Sequence, residues 1–207
     1  MFFLILLLAV LGVWSWTARP WRGWAIVADE PEHVVHIDRF DRLLDEYVSL
    51  GSYSALQRMN TNYPQQTKHL IEDVLQLGHI EESDIEQRLR HFYLDSTVQL
   101  LLEEVHRQYA DLSDIETGFA RAFDEQRRLN PNFRQPHIYT QISCLRQSVI
   151  VGDTLIGISL DKYLGEDFHL YREYYTDSQR RQMCRDSIVA DAMRAYLKRE
   201  AHKEPKH

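Results

Sequence analysis

The composition of this chain is that of one folded domain behind a short apolar segment. Its 207 residues include 44% hydrophobic side chains, 8 Gly and 6 Pro, which is enough apolar material for a sizeable core and leaves no long flexible linker. The net charge of −7 argues against a nucleic-acid surface. Two cysteines, Cys144 and Cys184, are far apart in sequence and give weak evidence for a disulfide. We predict a signal peptide or membrane anchor at residues 1–24, one domain at 25–200 and a polar tail at 201–207.

An uncharged apolar run opens the chain, from Phe2 to Trp16. Its roughly 15 residues fall between the core of a signal peptide and the about 20 residues that span a bilayer. Tryptophans crowd the end of the run beside Arg19 and Arg22, as residues at a membrane interface do, which favours an uncleaved anchor. The same arginines favour a cytoplasmic body under the positive-inside rule, because no Lys or Arg precedes the run. No cysteine follows the run closely, so we expect no lipid-modified N-terminus.

Helical periodicity dominates the domain after a short predicted strand at residues 33–37. Asp38 is predicted to cap a helix with apolar residues at three- and four-residue spacing, and Gly51 to end it. Four more helical stretches follow from caps, breakers and periodicity. They are predicted at residues 65–77 ending at Gly78, after Asp84 with a break near Asp95, from Ile115 to Asn130, and from Asp177 to about residue 200.

The densest run of β-branched residues and glycine lies at residues 149–165. Val149–Val151 and Leu155–Ser159 are predicted strands around a Gly-Asp-Thr turn at residues 152–154, which would provide positive φ and local hydrogen bonds. Residues 139–145 alternate as a strand does, so the natural prediction is an antiparallel sheet of about three short strands. The predicted fold class is α+β: a mostly helical single domain with a small antiparallel sheet, preceded by an N-terminal hydrophobic helix.

Few residues match a catalytic or metal-binding pattern. Glu103 and His106 stand one helical turn apart, as in carboxylate-bridged metal sites, but such a site needs a second Glu-x-x-His and two further glutamates. The Gly-Ile-Ser-Leu-Asp stretch at residues 157–161 lacks the last glycine of a Gly-x-Ser-x-Gly nucleophile elbow, so its serine is predicted to end a strand. Cys144 is predicted to be a small buried hydrophobe. We therefore predict no catalytic residue, no metal site and no cofactor.

An acidic and aromatic cluster follows the predicted strands. Tyrosines present both apolar area and a hydroxyl group, so such clusters are common at contact surfaces. The alternative is a structured loop whose tyrosines pack over the edge of the sheet. The candidate partner-contact residues are Asp161, Tyr163, Glu166, Asp167, Tyr171, Tyr174 and Tyr175.

One stretch of the sequence resembles a known family. The sequence Leu-Ile-Gly-Ile-Ser-Leu-Asp-Lys-Tyr-Leu-Gly at residues 155–165, with Tyr171 and Tyr175 after it, resembles the gliding-motility protein GldB and its relatives in Gram-negative envelopes. His-Ile-Asp-Arg-Phe-Asp at residues 36–41 and the helix at 188–197 are similar too. The resemblance implies an exported or lipid-anchored envelope protein without an assigned reaction. Because this chain has no cysteine after the apolar run, we expect Phe2 to Trp16 itself to anchor it in the inner membrane, or to export it, with the body in the periplasm. Family chains continue past the position of Tyr196, so a shortened relative is expected.

The resemblance leads to the functional prediction. We expect a non-enzymatic envelope protein that contacts other envelope proteins in motility or secretion machinery and is held at the membrane through Phe2 to Trp16. The alternative is a metal-dependent hydrolase that uses Glu103, His106 and acidic residues of the loop at 161–167. Its layout would be similar to that of a degenerate zinc metallopeptidase, although residues 187–193 hold no histidine where His-Glu-x-x-His would stand.

Overall fold

The computed structural model describes residue 31 and residues 33–202, so the predicted segment from Phe2 to Trp16 lies outside the described residues. Of the predicted polar tail, Ala201 and His202 belong to the last helix, and the rest also lies outside. The helices of the described part are α1 Phe40–Leu50, α2 Tyr53–Asn62, α3 Pro64–His69, α4 Ile85–Tyr93, α5 Ser96–Gln108, α6 Ser113–Leu129, α7 Tyr171–Tyr174, α8 Asp177–Arg180 and α9 Ile188–His202.

Local sequence signals explain several helix ends. Gly51 ends α1 in the left-handed conformation, with φ 67°, as predicted. The predicted break near Asp95 separates α4 from α5, because the Asp95 carboxylate accepts hydrogen bonds from Thr97 N and Val98 N at the start of α5. Asn130, before Pro131, follows the end of α6, also as predicted.

Other helix predictions were wrong in their bounds. The helix α1 begins after Arg39 without a side-chain cap, so Asp38 does not cap it. A π-helical turn, Leu70–Val74, continues α3 and replaces the regular helix predicted there. The helix α2 was not predicted, because its few apolar residues give weak periodicity. The single helix predicted from Asp177 is divided into α8, a 3₁₀ turn at Arg185–Ser187, and α9.

The sheet has four strands in the described residues: β1 Ile37–Asp38, β2 His137–Gln141, β3 Val149–Val151 and β4 Leu155–Ser159, in the order β1-β2-β4-β3. β1 and β2 are parallel, β2 and β4 are parallel, and β3 pairs with β4 in an antiparallel hairpin. The α+β prediction is confirmed for this part, but the purely antiparallel sheet was wrong. Residues 142–148 carry the chain past one strand position, so β4 folds back between β3 and β2 and runs parallel to β2.

The hairpin turn at residues 152–154 confirms the predicted pair of strands but not its backbone conformation. None of the three turn residues has positive φ, and the turn is closed by a 2.8 Å hydrogen bond from Gly152 N to Leu155 O. The strand predicted at 33–37 is shorter and shifted, at Ile37–Asp38, and the one predicted at 139–145 is His137–Gln141. Within the described residues, no helix combines the length and the apolar character that crossing a bilayer requires.

A candidate contact groove beside the 155–165 segment

Gly157 makes room for an aromatic ring inside the sheet. It lies opposite Tyr139 in the β2–β4 pair, and a Cβ on Gly157 would lie 2.5 Å from the Tyr139 side chain. Tyr139 is buried and its ring meets Phe40 edge-on, with ring centroids 6.2 Å apart. The ring therefore joins the sheet to α1, and the glycine of the family-like stretch is explained by a close approach across the sheet.

Asp161 anchors the turn that follows β2. Its carboxylate is fully buried and accepts hydrogen bonds from Ser143 N at 2.8 Å and Leu145 N at 2.6 Å. Cys144 and Leu145 both have positive φ, at 54° and 64°, which residues other than glycine rarely adopt. The bonds to Asp161 stabilise this backbone conformation. Burial raises the pKa of the Asp161 carboxyl, although the backbone N–H groups oppose that shift.

Lys162 and Tyr175 hold the same turn through one carbonyl group. The Lys162 ammonium donates to Leu145 O at 3.3 Å and to the Tyr175 hydroxyl at 2.8 Å. The Tyr175 hydroxyl in turn donates to Leu145 O at 2.8 Å. The ammonium also lies 4.3 Å from the centre of the Tyr175 ring, within cation–π range. The half-buried Tyr175 thus takes part in fixing the turn.

Two tyrosines of the predicted contact cluster lie inside the protein. Tyr171 is fully buried, and its hydroxyl donates to Asp161 O at 2.6 Å and accepts from Leu164 N at 2.9 Å. Tyr163 is 2% exposed, and its hydroxyl donates to the Asp191 carboxylate at 3.3 Å. Burial raises the pKa of both hydroxyls, so both groups are neutral hydrogen-bond donors at physiological pH.

A groove of about 580 Å³ opens beside the turn at Cys144 and Leu145. We call it the Tyr174 groove, because the Tyr174 side chain on its rim is 59% exposed. The turn after β2, the start of α5 and the last residues of α4 all contribute to it. The lining residues are His91, Phe92, Asp95, Thr97, Val98, Leu101, Cys144, Leu145, Arg146, Tyr174 and Tyr175.

The structure divides the seven predicted contact residues into two sets. Asp161, Tyr163 and Tyr171 are buried and present no side chain to a partner. The others are exposed or half-buried, and of these Tyr174 and Tyr175 line the Tyr174 groove while Glu166 and Asp167 lie on the surface outside its lining. A contact role for the second set stays a prediction.

Of the groove residues, the sequence predicted only Tyr174 and Tyr175 as contact residues; those it missed include His91, Phe92 and Arg146. Phe92 is only partly buried, and the Arg146 guanidinium lies 5.8 Å from the centre of its ring. No local pattern reveals this pairing, because it depends on how the turn after β2 meets α4. Cation–aromatic pairs between distant segments have no sequence signature.

The residues of the hydrolase hypothesis are not brought together. Glu103 and His106 are exposed on α5, where His106 Nδ1 lies 3.6 Å from the Asp45 carboxylate. Asp161, by contrast, is buried and accepts hydrogen bonds from the backbone. Within residue 31 and residues 33–202, no three His, Cys, Asp or Glu side chains are placed to hold a metal ion. Burial and the nearby Asp161 raise the pKa of the Cys144 thiol, which keeps it protonated and weakly nucleophilic.

The two cysteines are both free thiols. Cys144 lies in the turn after β2 rather than in the strand, and its neighbours include the hydroxyl of buried Tyr93. Cys184 precedes the 3₁₀ turn at Arg185–Ser187, with its sulfur 3.2 Å from Ser187 Oγ.

Fold and site together define an α+β domain with an open groove lined by aromatic and cationic side chains. A family profile described as "Gliding motility protein GldB" matches residues 21–207, nearly the whole chain. The chain therefore belongs to the GldB family of gliding-motility proteins, and the resemblance predicted from the sequence is confirmed. Neither the curated proteins nor the solved structures include a significant match to this chain.

Proposed function

We propose that this chain is a non-enzymatic component of the cell envelope that acts through protein contacts in motility or secretion machinery. The observation that carries the proposal is the family match over residues 21–207. The apolar run from Phe2 to Trp16 supports export or attachment to the inner membrane. Membership of the GldB family supports a folded domain in the periplasm, against the bias of Arg19 and Arg22. The partners are other envelope proteins.

The Tyr174 groove is the proposed contact site. Tyr174 and Phe92 give it apolar area, and an exposed tyrosine also offers a hydroxyl group to a partner. One wall of the groove is the turn after β2, which is held by hydrogen bonds to buried Asp161 and from Lys162. Contacts within the protein therefore fix the shape of this wall. The raised pKa of the Cys144 thiol supports contact over nucleophilic catalysis, because a protonated thiol is a weak nucleophile.

Gene deletion and complementation test this proposal. Deletion in the native host should abolish gliding, measured as cell velocity on a surface, and the wild-type gene should restore it. Tyr174→Ala should restore less movement at equal protein abundance, because it removes the exposed rim of the groove. The matched control is Leu129→Ala, which truncates a 73% exposed side chain on α6, outside the groove.

Two outcomes count against the proposal in different ways. Normal gliding after deletion would refute a role in motility. Full restoration by Tyr174→Ala would leave that role in place and refute the contact site.

A further inference from the structure

We propose that the surface around His91 and Phe92 binds an acidic segment of a partner protein, one that carries carboxylates beside an apolar or aromatic side chain. This inference rests on the proposed function and specifies the chemistry of the partner.

The surface consists of two grooves that meet at one ridge. His91 and Phe92, at the end of α4, line both the Tyr174 groove and a second groove of about 690 Å³. We call the second one the Leu94 groove, because Leu94 lines it and is 56% exposed. Together with the 59% exposed Tyr174, Leu94 gives each of the two grooves an exposed apolar side chain. An extended segment could therefore cross the ridge and contact both grooves.

The carboxylates of this surface already have partners inside the protein. Asp84, in the Leu94 groove, accepts a 2.6 Å hydrogen bond from Arg88. Asp95, in the Tyr174 groove, accepts from Thr97 N at 2.8 Å and so caps the start of α5. The N-terminal end of α5 carries the partial positive charge of the helix dipole, which stabilises the negative charge of Asp95 further. Both carboxylates therefore already have hydrogen-bond donors within the protein.

Two cations of this surface have no carboxylate partner among the described residues. Arg90 lines the Leu94 groove and Arg146 lines the Tyr174 groove, both are exposed, and neither forms a salt bridge in that part of the chain. Glu86, one turn before Arg90 on α4, does not pair with it. The C-terminal end of a helix stabilises nearby cations, and Arg90 lies in the last turn of α4, so the helix explains part of its stability without a carboxylate partner. This explanation does not apply to Arg146, which lies in the turn after β2.

Charge complementarity indicates the chemistry of the partner. Some arginines elsewhere pair with carboxylates, as Arg107 does with Glu104. Arg58, Arg121 and Arg181 form no salt bridge in the described part of the chain, but only Arg90 and Arg146 of these unpaired arginines line the two grooves beside exposed apolar side chains. Unpaired cations beside exposed apolar side chains are complementary to a segment that has both carboxylates and an apolar side chain. Arg146 already lies against an aromatic ring, which holds its guanidinium at the surface for such a contact.

Fluorescence anisotropy with a defined peptide tests the inference. The probe is fluorescein-labelled Gly-Asp-Phe-Asp-Leu-Asp-Gly, added to the full-length chain in a nonionic detergent, with the same peptide carrying Lys for Asp as the charge control. The double variant R90Q/R146Q should bind the acidic probe about tenfold more weakly, since each exposed charge pair contributes a few-fold. R121Q, which removes another exposed arginine on α6, should bind like wild type.

The possible results separate this inference from the proposed function. Saturable binding of the acidic probe, lost in R90Q/R146Q and weakened by salt, is the expected result. Equal binding of the Lys peptide, unchanged binding by R90Q/R146Q, or no saturable binding would overturn it. Binding to phosphatidylglycerol vesicles, lost in R90Q/R146Q, with no binding of the peptide would assign the surface to membrane and also overturn it. Impaired gliding by Tyr174→Ala together with any of these results would leave the contact site standing and reject only the acidic partner.

Discussion

At the scale of single residues, the hydroxyl of Tyr171 satisfies two buried backbone groups, Asp161 O and Leu164 N. Tyr171→Phe should lower the free energy of unfolding by about 2–6 kcal/mol, because it leaves two buried polar groups without a partner and each costs about 1–3 kcal/mol. Urea unfolding followed by circular dichroism measures the change. Tyr174→Phe is the matched control: its 59% exposed side chain should change stability by about 0.5 kcal/mol or less. Equal effects of the two variants would contradict the assigned role of Tyr171.

Asp161 links stability to pH. Burial raises the pKa of its carboxyl in the folded state above the unfolded value of about 3.9. The protonated carboxyl therefore favours folding, so its contribution is fully present below pH about 4 and is lost as pH rises through the folded-state pKa. Asp161→Asn cannot titrate and keeps one acceptor oxygen. We expect the stability of wild type relative to Asp161→Asn to fall as pH rises over that window and then stay constant.

The measurement for Asp161 is urea unfolding of both proteins from pH about 3 to about 8, the range that contains ordinary carboxyl and histidine pKa values. Because the other titrating groups are common to both proteins, the difference isolates Asp161. A difference that grows with pH would show that the hydrogen bonds from Ser143 N and Leu145 N outweigh burial.

At the scale of elements, the parallel pair of β2 and β4 depends on the fit of one ring against one glycine. Gly157→Ala should lower stability by about 1–3 kcal/mol, the usual cost of overpacking, because its Cβ would lie 2.5 Å from the Tyr139 side chain. Gly152→Ala is the matched control, since the nearest atom to its Cβ would be Leu155 Cβ at 3.4 Å and its φ is not positive. Thermal unfolding of both variants compares the sites; similar losses would contradict the close approach at Gly157.

Elements defined by local signals could be predicted from the sequence. Gly51 ends α1, Asp95 caps α5, and the hairpin of β3 and β4 forms around residues 152–154, since each signal acts within a few residues. The pairing of β2 with β4 could not be predicted, because it depends on where residues 142–148 carry the chain and not on the pattern of either strand.

The candidate site, too, could be predicted from the sequence only in part. Tyrosines and acidic residues after β4 are visible in the sequence, but which tyrosines are buried depends on distant partners, such as Asp191 for Tyr163. The positive φ of Cys144 and Leu145 has no signature either, because neither is glycine and Asp161, which stabilises them, comes from another element.

At the scale of the whole molecule, the family match sets the compartment that the domain is expected to reach. GldB-family membership over residues 21–207 supports an envelope location, and an uncharged run from Phe2 to Trp16 is the segment that could direct export. Arg19 and Arg22 oppose this orientation, because positive residues after an apolar run favour the cytoplasmic side. The two sequence signals therefore make opposite predictions for the position of the C-terminus.

A reporter fused after His207 resolves this conflict. We expect high alkaline phosphatase activity, because that enzyme is active only outside the cytoplasm, and little activity of a β-galactosidase fusion at the same position. Leu7→Arg is the control: one charge at the centre of the apolar run costs about 2.5–3.5 kcal/mol of insertion free energy and should abolish the phosphatase activity. Active β-galactosidase with the unaltered run would show that Arg19 and Arg22 set the orientation. The folded domain, with its Tyr174 groove, would then face cytoplasmic partners, and the proposal of a periplasmic contact surface would be wrong.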